Sequence, residues 1–206
     1  MRGKFITVEG TEGVGKSSNM AFVADYLKQA GIELVVTREP GGTPLAEKIR
    51  ELLLDAKQDA LCDDTELLMM FAARAQHLNE LIIPALEKGQ WVLCDRFTDA
   101  SYAYQGGGRG INESRIAELE QWVQGDLRPD LTLLLDMPVD EGLLRAGKRS
   151  EPDRFEQEKQ TFFDKVRACY LERANKYPER FKVIDARPAL EQVQAQIKTI
   201  LDSLIK

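Results

Sequence analysis

The chain of 206 residues lacks any long hydrophobic run and contains only three cysteines. No apolar stretch approaches the ~18 residues of a membrane-spanning helix, and the apolar segment 5–8 follows Met1 too closely to leave room for a signal peptide. Cys62, Cys94 and Cys169 are scattered and form no Cys-x-x-Cys pair, which favours reduced, buried thiols over disulfides or a zinc site. We therefore expect a cytoplasmic protein without a membrane partner.

Basic residues are fewer than acidic residues, and the chain contains a single histidine. Lys and Arg number 28 against 34 Asp and Glu, which gives a net charge of −6. A negatively charged protein repels polyanions, so nucleic acid is not an expected partner, and any bound phosphate needs a local basic pocket. The single histidine, His77, argues against a zinc site or a Ser-His-Asp triad, and we expect it on a helix surface or partly buried.

The chain also lacks internal repeats and Gly/Ser linkers, so residues 1–206 are predicted to form one domain. Five short apolar runs predict strands at residues 5–9, 34–37, 91–95, 131–136 and 181–185. Helical periodicity predicts helices at residues 15–30, 44–55, 64–88, 113–125, 139–148, 157–177 and 190–204. This alternation predicts an α/β fold, a doubly wound five-stranded parallel sheet flanked by helices. The glycine-rich segment 104–110 is expected to be a loop.

One motif stands where the first predicted strand meets the first predicted helix. Residues 10–17 match Gly-x-x-x-x-Gly-Lys-[Ser/Thr] in full. In such a loop the backbone N–H groups surround phosphates, Lys16 reaches the outer phosphates and Ser17 can bind Mg²⁺. A glycine-rich turn with a chance lysine is the alternative. The expected ATP-binding residues of the loop are Gly10, Thr11, Glu12, Gly13, Val14, Gly15, Lys16, Ser17 and Ser18.

A carboxylate and an arginine end the third predicted strand. Asp95 stands where a carboxylate beside a phosphate-binding loop would bind Mg²⁺ directly or through water, so Ser17 and Asp95 are the predicted metal ligands. Many strands end in Asp as a turn former, and the neighbouring motif is what favours the metal role. Arg96 follows, and it would either fork onto phosphate oxygens or form a salt bridge at the surface.

The loop by itself is compatible with a GTPase switch, an ATP-driven machine or a small-molecule kinase. The guanine-reading pattern Asn-Lys-x-Asp is missing, because the only Asn-Lys, at 175–176, is followed by Tyr-Pro. Phosphoryl transfer needs positive charge around both substrates, and Arg38, Arg74 and Arg96 lie on separate segments. We predict a kinase with a mobile basic lid at about 142–155; a solvated basic patch is the alternative for that segment.

Residues 37–43, Thr-Arg-Glu-Pro-Gly-Gly-Thr, closely resemble the corresponding segment of thymidylate kinases. The resemblance continues in order through 71–74, 95–97, 101–110 and 153–156, and it covers essentially the whole chain. It points to the bacterial type within the P-loop nucleoside monophosphate kinases. It implies transfer of the γ-phosphoryl group of ATP to dTMP, with Mg²⁺, for dTTP synthesis. A kinase for another nucleoside monophosphate and a non-catalytic nucleotide-binding switch remain the alternatives.

The resemblance also implies which residues would bind dTMP. They are Arg38 and Arg96 at its phosphate, Glu12 at the 3′-hydroxyl, Tyr102 at the carbon that distinguishes ribose from deoxyribose, Phe71 stacked on thymine, and Arg74, Ser101 and Gln105 at the base edge. Phe71 and Arg74 are three residues apart on one predicted helix and so face the same side, which suits a ring that stacks and a guanidinium that bonds. Without the resemblance, a buried core position is the alternative for Phe71.

Gly13 distinguishes this chain from family members that carry an arginine at the same place in the loop. The resemblance then implies that basic lid residues supply the missing charge. The expected catalytic residues are Lys16, Arg96, Asp95, Arg149, Arg145, Lys148 and Glu12. Arg187 falls where family members contact adenine, with an ordinary surface position as the alternative. The predicted helix 64–88 would form the interface of a homodimer, as in the family.

Overall fold

Strands and helices alternate along the chain, for which the computed structural model describes residues 2–55, 61–147 and 154–205. The strands are β1 (Phe5–Glu9), β2 (Leu34–Arg38), β3 (Trp91–Asp95), β4 (Leu131–Asp136) and β5 (Phe181–Asp185). The helices are α1 (Lys16–Gln29), α2 (Pro44–Leu54), α3 (Asp63–His77), α4 (Ile83–Glu87), α5 (Thr98–Ser101), α6 (Glu113–Gln124), α7 (Val139–Ala146), α8 (Gln160–Lys176) and α9 (Leu190–Ile205). None of the helices in these ranges is long and apolar enough to cross a membrane.

The sheet is parallel throughout, with the strand order β2-β3-β1-β4-β5. β1 lies at its centre, where Val8 pairs with Asp95 of β3 on one side and with Leu133 of β4 on the other. The doubly wound α/β fold predicted from the alternation is confirmed. Because the carboxyl ends of parallel strands meet at one edge of the sheet, the loop after β1 lies beside the end of β3.

Apolar side chains on both faces of the sheet hold the layers together. On one face, α1 and α9 pack against β4 through residues that include Leu27, Leu133 and Ile197. On the other face, Phe163 of α8 clusters with Leu134 of β4. Consecutive residues of β4 thus enter different layers of the core, which explains why its sequence is continuously apolar and does not alternate.

The predicted helix 64–88 is divided in the structure. α3 ends at His77, a π-helical segment covers Leu78–Ile82, and α4 begins at Ile83 next to Pro84. Proline has no N–H to donate inside a helix, and here a rare π-helical segment lies directly before the turn that contains Pro84. The segment is helical as predicted, but it is not one regular helix.

Most of the glycine-rich segment 104–110, which was expected to be a loop, is helical, and only Arg109 and Gly110 lie beyond the helix. α5 continues into a π-helical segment, Tyr102–Gly108. A Cβ at Gly107 would lie 2.8 Å from the Cβ of Cys169 in α8, and a Cβ at Gly108 would lie 2.4 Å from the ring of Phe162. The expectation was wrong because these glycines serve the close packing of two helices and do not form a turn.

Burial corrects two smaller expectations. His77 is fully buried, and not on a helix surface or partly buried. All three cysteines are free, but only Cys94 is buried, whereas Cys169 is half-buried and Cys62 is exposed. Cys62 stands at the N-terminal boundary of α3, where the chain is open to solvent.

Candidate active site

The loop between β1 and α1 is shaped by three glycines. Gly10, Gly13 and Gly15 have positive φ values of 143°, 75° and 87°, which residues with a Cβ rarely adopt. Gly13 is also tightly enclosed, because a Cβ there would lie 1.8 Å from the carbonyl oxygen of Gly142 in α7. A longer side chain at position 13 is therefore incompatible with the observed place of α7.

Lys16 is the first residue of α1, where the unpaired N–H groups of a helix favour bound anions. Its Nζ donates to the carbonyl oxygens of Thr11 (3.2 Å) and Gly10 (3.4 Å) and lies 4.0 Å from Glu12 Oε2. Burial and the nearby charge of Arg96 lower the pKa of Lys16. A phosphate bound in the loop would counteract both effects and favour the ammonium form.

Arg96 follows β3 with a φ of 65°, the only positive φ of a non-glycine residue in the described part of the chain. Its Nη2 donates to Glu12 Oε1 (2.6 Å), and its Nη1 donates to the Gly10 carbonyl (3.0 Å) and to the Tyr170 hydroxyl (3.3 Å). The side chain is only 16% exposed, so Arg96 is not a surface arginine. A strained backbone at a cavity is typical of a residue held for function.

Glu12 lies between two cations at the mouth of the loop. Burial by itself raises the pKa of its carboxyl, but Lys16, Arg96 and the Tyr104 hydroxyl together lower that pKa to about 2. Tyr104 donates at 3.0 Å to Oε1, the atom that Arg96 also contacts. Glu12 is therefore an anion at neutral pH and a partner that Arg96 can exchange for a phosphate.

Glu9, the last residue of β1, is a carboxyl of the opposite character. It is fully buried and accepts hydrogen bonds from the Phe97 N–H and the Tyr170 hydroxyl, both at 2.7 Å. Burial and the charge of Asp99 raise its pKa to about 8, so the neutral form prevails at neutral pH. Glu9 and Tyr170 together support Arg96 from behind. Glu9 ends the predicted strand 5–9 and is thereby placed at the ligand edge of the sheet, whereas the sequence offered no signal for Tyr170.

Asp95 and Ser17 line one cavity together with Lys16. Asp95 ends β3, and its buried Oδ1 has no hydrogen-bond partner among the described residues. A carboxylate oxygen and a hydroxyl are the hard donors that Mg²⁺ prefers, usually with substrate phosphates and water completing its shell. In residues 2–55, 61–147 and 154–205 no cluster of three or more His, Cys, Asp or Glu could hold a metal alone. The donors thus fit a Mg²⁺ ion that is shared with nucleotide phosphates.

This cavity measures about 290 Å³ and has two walls of different composition. The P-loop wall consists of Glu12, Lys16, Ser17, Asp95 and Arg96. The α3 wall consists of Glu39, Met70, Arg74, Ser101 and Gln105. Arg38 also lines the cavity, but its side chain is 54% exposed and donates to Glu47 Oε2 at 2.9 Å.

Arg74 is the buried cation of the α3 wall, with 2% of its side chain exposed. Its Nε donates to Glu39 Oε2 (2.7 Å) and its Nη2 to Ser101 Oγ (3.0 Å), whereas its Nη1 has no partner among the described residues. The guanidinium carbon also lies over the rings of Phe71 (4.6 Å) and Phe97 (5.2 Å). An orphaned donor held this firmly suits an acceptor on a bound ligand.

Gln105 and Ser101 complete the polar part of the α3 wall. Gln105 Nε2 donates to Glu66 Oε1 at 2.8 Å, which fixes the orientation of the amide. Both residues are buried, and both come from the helical segment that the packing of Gly107 against α8 holds in place. An amide, a hydroxyl and a guanidinium in one wall match a planar ligand with a polar edge.

Phe71 does not lie where the resemblance placed it. It is 2% exposed and packs with Leu67, Tyr102 and Ile116 beneath the cavity, whereas Met70 lines the cavity. Residues four apart on a helix share a face, so Met70 stands beside Arg74 at the ligand. The i,i+4 spacing from Arg74 could have identified Met70 in the sequence, and the core alternative for Phe71 is the better description.

Tyr102 is also turned away from the cavity. Its hydroxyl donates to Glu120 Oε2 at 2.5 Å, and the Arg173 guanidinium carbon lies 3.6 Å from its ring centroid. Tyr104, two residues later, lines the cavity and donates to Glu12. Both tyrosines belong to the segment 101–110, and the helical conformation of this segment decides which of them lines the cavity.

The basic lid is only partly described. Lys148 and Arg149 lie outside the described residues, so their predicted role stays a prediction. Arg145 does not line the cavity; its guanidinium donates to the carbonyl oxygens of Ala186 (3.1 Å) and Arg187 (2.9 Å) after β5. Arg187 itself is exposed and forms a two-point ion pair with Asp185. Arg145 is thus bonded to the segment that carries Arg187, and its expected role at the transferring phosphoryl group stays a prediction.

A glycine-lined loop that opens α1, a lysine and an arginine beside it, and an orphaned carboxylate at the end of β3 define a P-loop nucleotide-binding protein. The α3 wall adds a buried polar site for a second ligand next to the phosphates, which is the arrangement of a kinase that acts on a small metabolite.

Comparison with known proteins gives the particular family. The family model described as thymidylate kinase matches residues 8–197. The thymidylate kinases of Ectopseudomonas mendocina and Pseudomonas syringae pv. syringae are 60% and 59% identical over 206 residues, which is 100% of this chain and 98% of each relative. The crystal structure of thymidylate kinase from Ehrlichia chaffeensis superimposes with a TM-score of 0.80 at 33% identity, covering 98% of this chain and 100% of that one. The chain belongs to the thymidylate kinase family.

Proposed function

We propose that this protein transfers the γ-phosphoryl group of ATP to dTMP and releases ADP and dTDP. Its family supports this reaction, and the observation that carries it is the single cavity with two unlike walls. The P-loop wall suits phosphates, and the α3 wall suits a planar base with a polar edge. A nucleotide-binding switch would have no use for a second buried polar wall beside the phosphates.

The reaction is a direct in-line transfer between two substrates. An oxygen of the dTMP phosphate attacks the γ-phosphorus of ATP, and the bond between that phosphorus and the bridging oxygen of ADP breaks. The protein then contributes mainly position and positive charge. Lys16 supplies charge at the P-loop wall, and the phosphates reverse the lowering of its pKa that burial causes.

Arg96 holds the dTMP phosphate, and Arg38 assists from the exposed part of the cavity. In the structure Arg96 is paired with Glu12, so the incoming phosphate replaces that carboxylate at the guanidinium. Glu12 is then available to accept from the 3′-hydroxyl of the sugar. Tyr104, which is hydrogen-bonded to Glu12, takes the sugar-contacting role that the resemblance assigned to Tyr102.

The α3 wall recognises the base of dTMP. Arg74 presents its unpaired Nη1 to a carbonyl oxygen of thymine, while Ser101 and Gln105 contact the remaining polar edge. Met70 packs against the face of the ring in the place expected for Phe71. Each polar group of this wall is buried, so a base that leaves one of them unpaired binds less tightly.

Magnesium belongs to this site as the partner of ATP. Ser17 and Asp95 would hold it, Asp95 directly or through water, and the ion would neutralise charge on the transferring phosphoryl group. The lid residues Lys148 and Arg149, which lie outside the described residues, are proposed to add positive charge at the phosphoryl group.

We also propose that the protein is a cytoplasmic homodimer. The support is an exposed apolar side chain on each of the helices that the dimer would use: Leu68 on α3 is 56% exposed and Ile83 on α4 is 39% exposed. Light scattering coupled to size-exclusion chromatography tests the assembly, with twice the monomer mass of 23.2 kDa as the expected result. A monomer at micromolar concentration would overturn it.

Substrate selectivity tests the proposed reaction. ADP release is measured with ATP and, in turn, dTMP, dUMP, UMP, CMP, AMP or thymidine, and a reaction without acceptor corrects for ATP hydrolysis. We expect the highest kcat/KM with dTMP by a wide margin. Equal use of several monophosphates, or ADP release that no acceptor stimulates, would overturn the proposal.

A further inference from the structure

Behind the α3 wall lies a buried histidine that no substrate-binding role accounts for. His77 is fully buried and is not part of the cavity lining. Its Nε2 lies 2.7 Å from Thr37 Oγ1, and its Nδ1 lies 3.2 Å from Glu39 Oε1. The second carboxylate oxygen of Glu39 accepts from Arg74 Nε at 2.7 Å. A continuous series of hydrogen bonds thus runs from Thr37 through His77 and Glu39 to Arg74.

The direction of these bonds follows from the groups involved. A carboxylate only accepts, so His77 Nδ1 carries the proton in its bond to Glu39. In the neutral imidazole Nε2 is then an acceptor, and the Thr37 hydroxyl donates to it. Both ring nitrogens of His77 and both carboxylate oxygens of Glu39 are then hydrogen-bonded, and no positively charged imidazole is needed next to Arg74.

Gly42 in the loop after β2 closes over this histidine. Its φ is 87°, and a Cβ there would lie 2.4 Å from His77 Nε2 and 2.6 Å from Thr37 Oγ1. The Gly42 N–H is itself fixed by a 2.7 Å bond to Glu47 Oε1. Because the loop backbone covers the imidazole so closely, water does not compete for its hydrogen bonds, and these bonds are correspondingly strong.

We propose that His77 is a positioning residue for dTMP binding, because its imidazole fixes Glu39 and Glu39 in turn fixes Arg74. His77 and Arg74 are three residues apart on α3 and therefore share a face, and Glu39 bridges the two side chains with its two oxygens. With His77 in place the Glu39 carboxylate is held at both of its oxygens, so the Arg74 guanidinium keeps its position in the α3 wall. This inference rests on the proposed function and deepens its account of base recognition.

A purely structural histidine would give a different result on substitution. Loss of any buried hydrogen bond lowers stability, so a lower melting temperature does not separate the two roles. Only a positioning role raises the KM for dTMP while it leaves the KM for ATP unchanged, because Arg74 belongs to the wall that contacts one substrate alone.

Two substitutions distinguish the bond to Glu39 from the bond to Thr37. In His77→Asn the amide nitrogen takes the place of Nδ1 and can still donate to Glu39, whereas in His77→Gln the amide reaches the place of Nε2 and the bond to Glu39 is lost. We expect His77→Gln to raise the KM for dTMP roughly tenfold, and His77→Asn to restore most of that loss. An unchanged KM for dTMP in His77→Gln, or equal increases for ATP and dTMP, would overturn the proposal. The wild-type assay with dTMP shows separately whether the proposed function holds.

A measurement on the unaltered protein keeps the proposal testable if the variants do not fold. His77 is the only histidine, so the imidazole ¹⁵N resonances of histidine-labelled protein belong to it alone. We expect saturating dTMP to shift the Nδ1 resonance and to slow exchange of its proton, because Arg74 tightens its bond to Glu39 on the far side. ADP alone should leave both unchanged. A resonance that does not respond to dTMP, or that responds equally to ADP, would contradict the positioning role.

Discussion

The P-loop wall and the α3 wall face the same cavity, yet they are constructed in different ways. The P-loop wall depends largely on backbone: its loop is one continuous segment with three glycines at positive φ and the start of α1, and only Asp95 and Arg96 come from elsewhere, at the end of β3. The α3 wall depends on buried side chains that come from four places in the chain, namely Glu39 after β2, Arg74 in α3, Ser101 in α5 and Gln105 in the π-helical segment.

The difference corresponds to what each wall has to recognise. Phosphate groups carry charge and are alike in every nucleotide, so backbone N–H groups and flexible cations suffice. A base is distinguished from other bases by a few polar atoms, so its partners need fixed positions and a dry environment. We therefore expect substitution of Lys16 in the P-loop wall to reduce kcat and substitutions in the α3 wall to raise the KM for dTMP.

The largest effect that this comparison predicts comes from Lys16→Ala. Removing the ammonium group takes away charge stabilisation that is greatest in the transition state, so kcat should fall by about 10²-fold to 10³-fold or more. The fold should persist, because Lys16 bonds only to carbonyl oxygens of its own loop and lies near Glu12. Steady-state kinetics and circular dichroism check both points, with Lys28→Ala, an exposed lysine of the same helix, as the control. A kcat close to that of the wild type would exclude the assigned role.

Arg74→Ala tests the other half of the comparison. The variant loses the donor for the base and leaves Glu39 buried beside His77 alone, so the KM for dTMP should rise by about tenfold to a hundredfold. The KM for ATP should stay within about twofold of the wild type. Initial rates with each substrate varied in turn give both constants, and Arg115→Ala on the exposed face of α6 is a matched control. If both KM values rise together, the division between the walls is wrong.

A smaller effect separates the two neighbouring apolar residues of α3. Met70→Ala removes a side chain that lines the cavity and should raise the KM for dTMP by about threefold to tenfold with little loss of stability. Phe71→Leu changes a core residue and should mainly lower the free energy of unfolding, by about 1 kcal/mol. Kinetics and urea unfolding of both variants check this assignment. The reverse pattern would restore the stacking role to Phe71.

The last predicted effect is a pH dependence of stability that comes from Glu9, which lies buried behind the P-loop wall and affects no kinetic constant directly. The pKa of Glu9 is raised from 4.5 to about 8, so between these values folded Glu9 keeps a proton that the unfolded chain releases. Stability supplied by this group therefore falls as the pH rises from about 5 to 8, by on the order of 1 kcal/mol per pH unit at most.

Glu9→Gln should flatten that decline, since a neutral amide has no proton to release. Urea unfolding at several pH values measures the slope, and Glu12 in the P-loop wall offers a contrast. Because the pKa of Glu12 is lowered to about 2, its contribution is constant in this range and is lost only in acid. An equal slope in the wild type and in Glu9→Gln would show that Glu9 is not the group responsible.

The predictions made from sequence succeeded where neighbouring residues act together. The alternation of apolar runs and helical segments specified the parallel sheet, and the loop at 10–17 is recognisable because its function lies in consecutive residues. The segment 37–43 carried the family resemblance for the same reason. Glu39 belongs to that segment, but its two partners, Arg74 and His77, are too distant in sequence to be predicted.

The predictions that failed concern the direction in which a side chain points. Phe71 and Tyr102 were each one or two residues from the residue that lines the cavity, Met70 and Tyr104 respectively. A rotation of about 100° per residue in a helix is enough to move a side chain from the ligand to the core. The lid role of Arg145 stays a prediction, and in the structure its side chain donates to carbonyl oxygens after β5.

By itself the sequence determined the class of fold, the phosphate-binding loop and the family, because these depend on residue types at fixed spacing along the chain. The tertiary structure alone decided which side chains meet the base, that Glu9 stays protonated beside an arginine, and that the single histidine is hydrogen-bonded behind the α3 wall. Those properties depend on burial and on distances between residues far apart in the chain, and both arise only when the helices pack against the sheet.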